Sequence, residues 1–234
     1  MTKTLYVNGD SHTAGTTLQF PNHNYEKCFA GLLAAKYNLE YKNDAIPGGS
    51  NSRIIRTSKE YLKDADAQNT VVLIGWSTWE RAEWLVNGKW HQICGQPQYE
   101  IKEKYLDTLW KNYTASFHKS WEKDSTEERI FYLSKTIEAQ YQINEFSEWL
   151  SERNFKYLFF HAHSSFFYKK SIFEIAWPNN IWFHNKPYDP AISFCNYSLS
   201  KGHRPDHWYH FDYNAHKDYA DFLETEFAKL LVYF

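Results

Sequence analysis

A serine that directly follows an apolar strand is the first candidate for chemistry in this chain. The segment Leu5-Tyr-Val-Asn-Gly-Asp-Ser11 predicts a strand that ends in a tight turn, which Gly9 permits because it has no Cβ. The small residues that follow predict the start of a helix, whose unpaired N–H groups can hold an anionic oxygen. The Ser11 hydroxyl is thereby placed for nucleophilic attack. The competing interpretation is an ordinary β-turn in which Asp10 caps the helix.

Two more turns follow predicted strands, and a pair of titratable residues precedes the last helix. The turns contain Gly48 and Ser77, and the pair is Asp206 and His210. Ligands of open parallel sheets bind beyond the carboxyl ends of the strands, so Ser11, Gly48 and Ser77 are expected to meet there. A serine hydroxyl is a poor nucleophile at neutral pH and needs a base within hydrogen-bond reach.

The segments that carry these residues resemble, in order along the chain, the sequence blocks of the SGNH (GDSL-like) hydrolases. They are Gly9-Asp-Ser11, Asn43-Asp-Ala-Ile-Pro-Gly-Gly-Ser-Asn51, Val71-Val-Leu-Ile-Gly-Trp-Ser-Thr78 and the block from Asp206 to Ala220. The resemblance covers essentially the whole chain, which is also similar to a divergent branch of these proteins seen in marine bacteriophage genomes. It implies a three-layer α/β/α sandwich around a central parallel sheet of about five strands, of the flavodoxin-like type.

The resemblance implies a catalytic triad. Ser11 would attack an acyl carbonyl, His210 would take its proton and return it to the leaving alcohol, and Asp206 would hold the imidazole tautomer. The family's Asp precedes its His by three residues, whereas the spacing here is four, so a backbone carbonyl or a water is an alternative partner for the imidazole. His210 is preferred to His207 and His216 because it matches the family's position in the loop before the terminal helix. His216 is predicted to lie one turn inside that helix, in a structural role.

The same resemblance implies an oxyanion hole. The backbone N–H groups of Ser11 and Gly48 are the expected donors, and Ser77, Thr78 or Asn51 would provide a third. The family has an asparagine where this chain has Ser77, and losing one oxyanion donor costs about 2.7 to 4 kcal/mol in a protease. The difference predicts a slower enzyme unless a neighbouring group replaces that donor.

Tryptophans are concentrated just after the strand that borders the site, between Trp76 and Trp90. Trp76 and Trp79 are predicted to contact substrate, because such rings are typical of recognition surfaces. The alternative is a tryptophan-rich lid that packs on the protein's own core, with Asn87-Gly88 as a tight hairpin turn.

Two polar residues near the serine are also predicted to contact substrate. Arg81 can bind a carboxylate or phosphate, and an intramolecular pair with Glu80 or Glu83 is the alternative. His12 directly follows Ser11, and its alternative role is that of a partly exposed residue in the first helical turn.

Metal binding is not predicted. His161 and His163 form a His-x-His pair that is expected to present both rings on one face of a strand, which can ligate a metal. No third ligand is nearby in the sequence. The cysteines Cys28, Cys94 and Cys195 are far apart and lack metal-ligand spacing, which fits a reducing compartment. Neither a metal nor an organic cofactor is therefore expected.

Composition restricts the partners. The formal net charge is −2 and no basic residues cluster, which argues against a role in nucleic-acid binding. The first residues enter a strand without an apolar signal segment, and no apolar run approaches transmembrane length, so we expect no membrane partner. Cytoplasmic localisation is expected, with association with a virus particle as an alternative.

Strands and helices alternate along the chain, as in a parallel sheet covered on both faces. Strands are predicted at residues 5–8, 39–41, 71–74 and 157–160, and residues 98–150 are predicted to be mostly helical. Asn22 or Asn24 is expected to cap the first helix and Ser50 the second. With no linker in the sequence, we expect one domain over residues 1–234, carrying a tryptophan-rich and helical insertion at about residues 76–150.

The function expected from these features is a serine esterase that cleaves a small-molecule or glycan ester, with an O-acetyl group on a carbohydrate as the favoured substrate. The chain contains 10 Trp, 18 Tyr and 17 Phe, and so many rings also favour a competing class. This is a carbohydrate-binding or phage structural protein that keeps the scaffold without turnover. Two departures from the family also support this alternative. They are Ser77 in place of the family's asparagine and the longer spacing from Asp206 to His210.

Overall fold

The computed structural model describes residues 3–16, 24–94, 108–109, 111–113, 126–163, 177 and 181–232, with side chains from residue 134 onward in the helix that begins at Thr126. The strands are β1 (Thr4–Asn8), β2 (Glu40–Asn43), β3 (Thr70–Trp76), β4 (Ala82–Val86), β5 (Lys89–Ile93) and β6 (Lys156–His161). The helices are α1 (Phe29–Lys36), α2 (Asn51–Leu62), α3 (Thr126–Glu152), α4 (Phe194–Ser200) and α5 (Tyr213–Leu231).

Four parallel strands form the main sheet of the described residues, in the order β2-β1-β3-β6. All seven residues of β3 are buried, as expected for a central strand covered on both faces. The prediction of about five strands is too high for this part of the chain. Beyond β6, the described residues form only a single parallel bridge, between Phe159 and Trp182, because residues 183–185 turn into a 3₁₀-helix instead of extending.

Helices cover both faces of this sheet. Alternate strand residues such as Leu5, Val7 and Leu73 belong to one core with α1 and α5. The residues between them, such as Tyr6 and Val72, belong to a second core with α2 and α3. This period of two is the side-chain alternation of a strand. The carboxyl ends of β1, β3 and β6 are thereby left as the edge at which loops meet.

Most of the predicted local signals are confirmed. Ser50 caps α2, where its Oγ accepts a hydrogen bond from Arg53 N. Asn87 and Gly88 have φ values of 50° and 75° and join β4 to β5 as an antiparallel hairpin. The prediction that Asn24 caps α1 is wrong, because the Asn24 carbonyl closes a turn with Cys28 and the helix begins at Phe29. The alternative cap, Asn22, lies outside the described residues, as does most of 98–125.

Helix α5 carries a histidine in the core, as predicted for His216. Its ring stacks between Phe29 and Phe194, at centroid distances of 5.6 and 4.7 Å. Neither ring nitrogen has a hydrogen-bond partner among the described residues. Burial lowers the pKa of His216 to about 3. The imidazole is therefore neutral in the folded protein under all but strongly acidic conditions.

We expect His216→Phe to flatten the pH dependence of stability. Below about pH 6.5 the unfolded chain binds a proton that folded His216 does not, which lowers the free energy of unfolding by up to about 1.4 kcal/mol per pH unit towards pH 3. Above pH 6.5 this loss is absent. Urea unfolding at pH 7 and pH 5 measures the effect, with wild type as the control. If the free energy of unfolding fell equally in both proteins between these pH values, His216 would not be the buried, neutral imidazole described here.

Candidate active site

The turn after β1 is held in one conformation by its backbone. Ala14 N donates to Asp10 O and Thr16 N donates to Ser11 O, both at 2.9 Å. Glycine is required at the end of β1, because a Cβ on Gly9 would overlap the side chain of Thr13. The turn can therefore lie close over the ends of the strands, and it presents Ser11 at the carboxyl edge, as predicted.

Asp10 is completely buried and is the centre of a polar network. Its Oδ2 accepts from Arg81 Nη1 at 3.0 Å and from Ser77 Oγ at 3.2 Å, and its Oδ1 accepts from His12 N at 3.1 Å. Burial alone would raise the pKa of Asp10. The hydrogen bond from His163 and the positive charge of Arg81 outweigh that effect and hold the pKa far below its usual range. Asp10 is therefore a fixed carboxylate that ties the serine turn to the segment after β3.

Two histidines and a cysteine meet behind the serine turn. His12 Nε2 lies 3.1 Å from His163 Nε2 and 3.4 Å from Cys195 Sγ. His163 Nε2 also lies 3.4 Å from Asp10 Oδ2. The side chain of His12 is buried, and its Nδ1 has no partner among the described residues. Burial, the largest cause, and the neighbouring His163 lower the pKa of His12 well below 6.5, so its imidazole is neutral at pH 7.

The loop before α5 brings His210 to the same edge. The ring centroid of His210 lies 5.8 Å from that of His12. Asp206 Oδ1 accepts from the backbone N–H groups of Trp208 and His210, at 2.7 and 2.9 Å, so this carboxylate orders the loop. Its Oδ2 is buried, has no hydrogen-bond partner among the described residues and lies 3.8 Å from His210 Nδ1. The acid and the imidazole are thus adjacent but not in hydrogen-bond contact.

Ser11 itself is nearly enclosed, with 4% of its surface exposed. Among the described residues, no group forms a hydrogen bond with its Oγ, and neither its backbone N–H nor that of Gly48 donates to an acceptor. Gly48 has a φ of 74° and lies in a turn. Near this turn, the backbone N–H of Ile46 donates to Gly9 O. Buried N–H groups are nearly always paired, so the unpaired N–H groups of Ser11 and of Gly48 are both available to a ligand.

The other predicted oxyanion donors differ in availability. Ser77 Oγ donates to Asp10 and accepts from Arg81, so its proton is committed to the buried network. Asn51 pairs with the backbone of Ser77, through Nδ2 to Ser77 O and through Oδ1 from Ser77 N. One amide proton of Asn51 is used in this way, and the other has no acceptor among the described residues. Thr78 Oγ1 is buried and has no partner among the described residues.

The two tryptophans predicted to bind substrate are packed inside the protein. Trp76 has no exposed surface and meets Phe146 and Phe159 edge to face. Trp79 is 6% exposed and lies against His161. Both rings therefore pack on the protein's own core, which was the alternative interpretation. Strand β3 extends to Trp76 and directs its ring towards α3. Arg81, predicted to bind substrate or a neighbouring glutamate, instead pairs with Asp10.

The two histidines of the His-x-His pair do not share a face. Strand β6 ends at His161, whose ring stacks on Trp182 and donates from Nε2 to Pro187 O at 2.8 Å. His163 lies beyond the strand and turns towards His12. The prediction of a common face is wrong because it assumed that the strand continues to residue 163.

His163 and Cys195 are the site residues that the sequence did not single out as partners of His12. Cys195 is 183 positions from His12, and only the packing of α4 against the end of β6 brings them together. Asp10 was recognised only as a turn residue. A buried acid beside the serine, with an arginine soon after β3, is the one signal in the sequence that indicates the network.

The fold and the site define an α/β protein with a parallel sheet and a histidine-rich polar site at the carboxyl ends of its strands. Residues 13–179 match the family of unknown function DUF6071, and the chain belongs to that family. The matched range includes His12's partner His163 but neither Ser11 nor the loop that carries Asp206 and His210.

Comparisons beyond the family are distant. No curated protein matches the sequence. One similar solved structure is a Desulfitobacterium hafniense DCB-2 protein described as belonging to the G-D-S-L lipolytic family, at 12% identity and a TM-score of 0.33 over 96% of this chain and 99% of that one. In the described part of the chain, no helix combines the length and apolar character needed to cross a membrane.

Proposed function

We propose that the protein is a serine acyl hydrolase in which Ser11 is the nucleophile and His210 the general base. The observation that carries this proposal is the convergence of a serine with unpaired N–H groups and an imidazole backed by a buried acid at one edge of the sheet. Ser11 would attack an acyl carbonyl, and the N–H groups of Ser11 and Gly48 would receive the oxyanion. His210 would protonate the leaving alcohol, after which water would release the acyl group.

The roles of the residues around Ser11 and His210 follow from their contacts. Asp206 would act through Oδ2, which has no hydrogen-bond partner among the described residues. This oxygen lies 3.8 Å from His210 Nδ1, so the two atoms need to approach by less than about 1 Å to form a hydrogen bond. Such shortening on substrate binding is common at catalytic sites. Thr78, or the unused amide proton of Asn51, would supply the third oxyanion donor in place of Ser77. Asp10 and Arg81 would fix the turn that carries the nucleophile.

An ester of a carbohydrate is the substrate that the surroundings support. The enclosed Ser11 suits a small acyl group such as acetyl better than a long lipid chain. Trp208 and Tyr209, on the same loop as His210, are 51% and 48% exposed, and such rings stack on sugars. These residues replace Trp76 and Trp79 as the proposed sugar contacts. The experiment is a hydrolysis assay on p-nitrophenyl acetate, longer p-nitrophenyl esters and an O-acetylated oligosaccharide, with acetate release expected and longer acyl chains cleaved poorly.

The pH dependence of that activity is expected to report His210. Burial, the first cause, lowers the pKa of His210 below its ordinary 6.5, although Asp206 and Asp10 oppose the shift. The base is active when neutral, so kcat/KM should be at its plateau at pH 7 and fall only as the pH drops through this lowered pKa. A steady-state profile from pH 4.5 to 8 measures it. An acidic limb centred above pH 7 would contradict this role for His210.

A second candidate is a carbohydrate-binding protein without turnover. It is favoured by the separation between the Asp206 carboxylate and His210, and by the lack of a hydrogen bond on Ser11 Oγ within the described residues. The exposed rings of Trp208 and Tyr209 would then be its binding surface. Glycan binding that is equal in wild type and Ser11→Ala, with no ester cleavage by either, would favour this candidate.

A further inference from the structure

Three side chains of metal-ligand type converge from distant parts of the chain. His12 lies in the turn after β1, His163 follows β6, and Cys195 lies in the first turn of α4. One ligand atom from each falls within 4.8 Å of the other two. The two shortest separations are 3.1 Å between the Nε2 atoms of His12 and His163, and 3.4 Å from His12 Nε2 to Cys195 Sγ.

These separations match the edges of a metal coordination sphere. Zinc binds histidine nitrogen at about 2.0 to 2.1 Å and cysteine sulfur at about 2.3 Å in tetrahedral geometry, so two bound nitrogens lie about 3.3 Å apart and a nitrogen and a sulfur about 3.6 Å apart. The observed distances are close to both values.

We propose that His12, His163 and Cys195 bind a divalent transition-metal ion of the zinc type. Two imidazoles and a thiolate are the donor set that such borderline-soft ions prefer. Three protein ligands leave a fourth position for water or for an oxygen of a substrate, as in catalytic rather than structural zinc sites. Asp10 Oδ2 lies 3.4 Å from His163 Nε2, so its negative charge would favour a cation bound beside that nitrogen.

Metal binding at this site would release a proton from the thiol ligand. Cys195 is a buried thiol, so binding replaces the S–H bond by a metal–sulfur bond and releases one proton to solvent. No electron transfer is involved.

One ligand of the proposed ion, His12, directly follows the candidate nucleophile Ser11 in the chain. The metal-site proposal nevertheless stands independently of the acyl hydrolase proposal, because it rests on other side chains. The sequence offered no third ligand near the His-x-His pair and predicted no metal. In the fold, α4 provides Cys195 as the third ligand. The second histidine beside His163 is His12, not the predicted His161.

Cobalt titration of protein stripped with a chelator tests this site. We expect one Co²⁺ per chain and a near-ultraviolet thiolate-to-cobalt charge-transfer band, with Zn²⁺ displacing the cobalt. Cys195→Ser should lose the band, whereas the matched variant Cys94→Ser, altered at a buried cysteine outside the cluster, should keep it. His163→Gln should weaken Co²⁺ binding by at least about tenfold.

Two results would overturn the proposal. They are the absence of saturable Co²⁺ binding to folded wild type, and a thiolate band that survives in Cys195→Ser. Circular dichroism and thermal unfolding establish that each variant is folded. If Cys195→Ser does not fold, His163→Gln is the deciding variant. The His163 side chain is 20% exposed, so its replacement is expected to disturb the fold less. Unchanged affinity in that variant would then overturn the site. None of these measurements uses ester cleavage, so failure here is distinguishable from failure of the hydrolase proposal.

Discussion

Replacing Ser11 with alanine is expected to lower kcat/KM for ester cleavage by at least about ten-thousand-fold, because no other group would form the acyl-enzyme. Folding should be unaffected. The Ser11 hydroxyl makes no hydrogen bond with any described residue, so its removal leaves no buried partner unsatisfied. The measurement is steady-state hydrolysis of p-nitrophenyl acetate at pH 7.5, with a thermal unfolding curve for each protein.

Ser200→Ala is the matched control for this experiment. Ser200 is an exposed serine at the end of α4, and its Oγ donates to Tyr197 O within its own helix. Its loss should leave the rate unchanged. If Ser11→Ala and Ser200→Ala both retained wild-type turnover, the esterase activity would belong to another group, and Ser11 would not be the nucleophile.

Replacing Arg81 with methionine is expected to destabilise the fold by about 3 to 5 kcal/mol, since the change leaves a buried carboxylate without the arginine that pairs with it. Asp10 has no exposed surface, and Arg81 is its only arginine or lysine partner within the described residues. The change also removes the 2.7 Å hydrogen bond from Arg81 to Ser77 Oγ. Urea unfolding at pH 7 gives the free energy directly.

The double variant Asp10→Asn with Arg81→Met separates charge from packing. It removes the unpaired charge and should recover part of the stability lost by Arg81→Met alone. Lys135→Met is the control, because it breaks a surface pair with Glu138 that water screens, and it should change the stability little. A loss in Arg81→Met no larger than in the control would mean that the Asp10 network does not support the serine turn.

Much of the architecture follows from local rules. The continuous apolar run at Val71–Ile74 predicts a buried central strand, and the observed β3 spans Thr70–Trp76 with every residue buried. The helix cap at Ser50 and the hairpin turn at Asn87-Gly88 were predictable, because each depends on the residue types at one or two neighbouring positions. Periodicity did not give the number of strands, since it cannot tell whether the segment after β6 extends or turns.

The site was less predictable because its partners are far apart in the sequence. The turn that holds Ser11 is visible in the residues around Gly9. The Asp10 to Arg81 pair depends on the direction in which the chain leaves β3, and the meeting of His12 with Cys195 depends on how α4 docks. Trp76 was misread because a tryptophan at the end of a strand can face the core or the cleft, and only the packing against Phe146 decides.

The most direct test of the account is labelling with a fluorophosphonate probe, followed by intact mass measurement and peptide mapping. An activated serine reacts covalently with such a probe whatever its natural substrate is. We expect one label per chain, on Ser11, with labelling lost in Ser11→Ala and strongly slowed in His210→Ala. The absence of labelling on folded wild type, or a label on another serine, would contradict the central claim that Ser11 is an activated nucleophile.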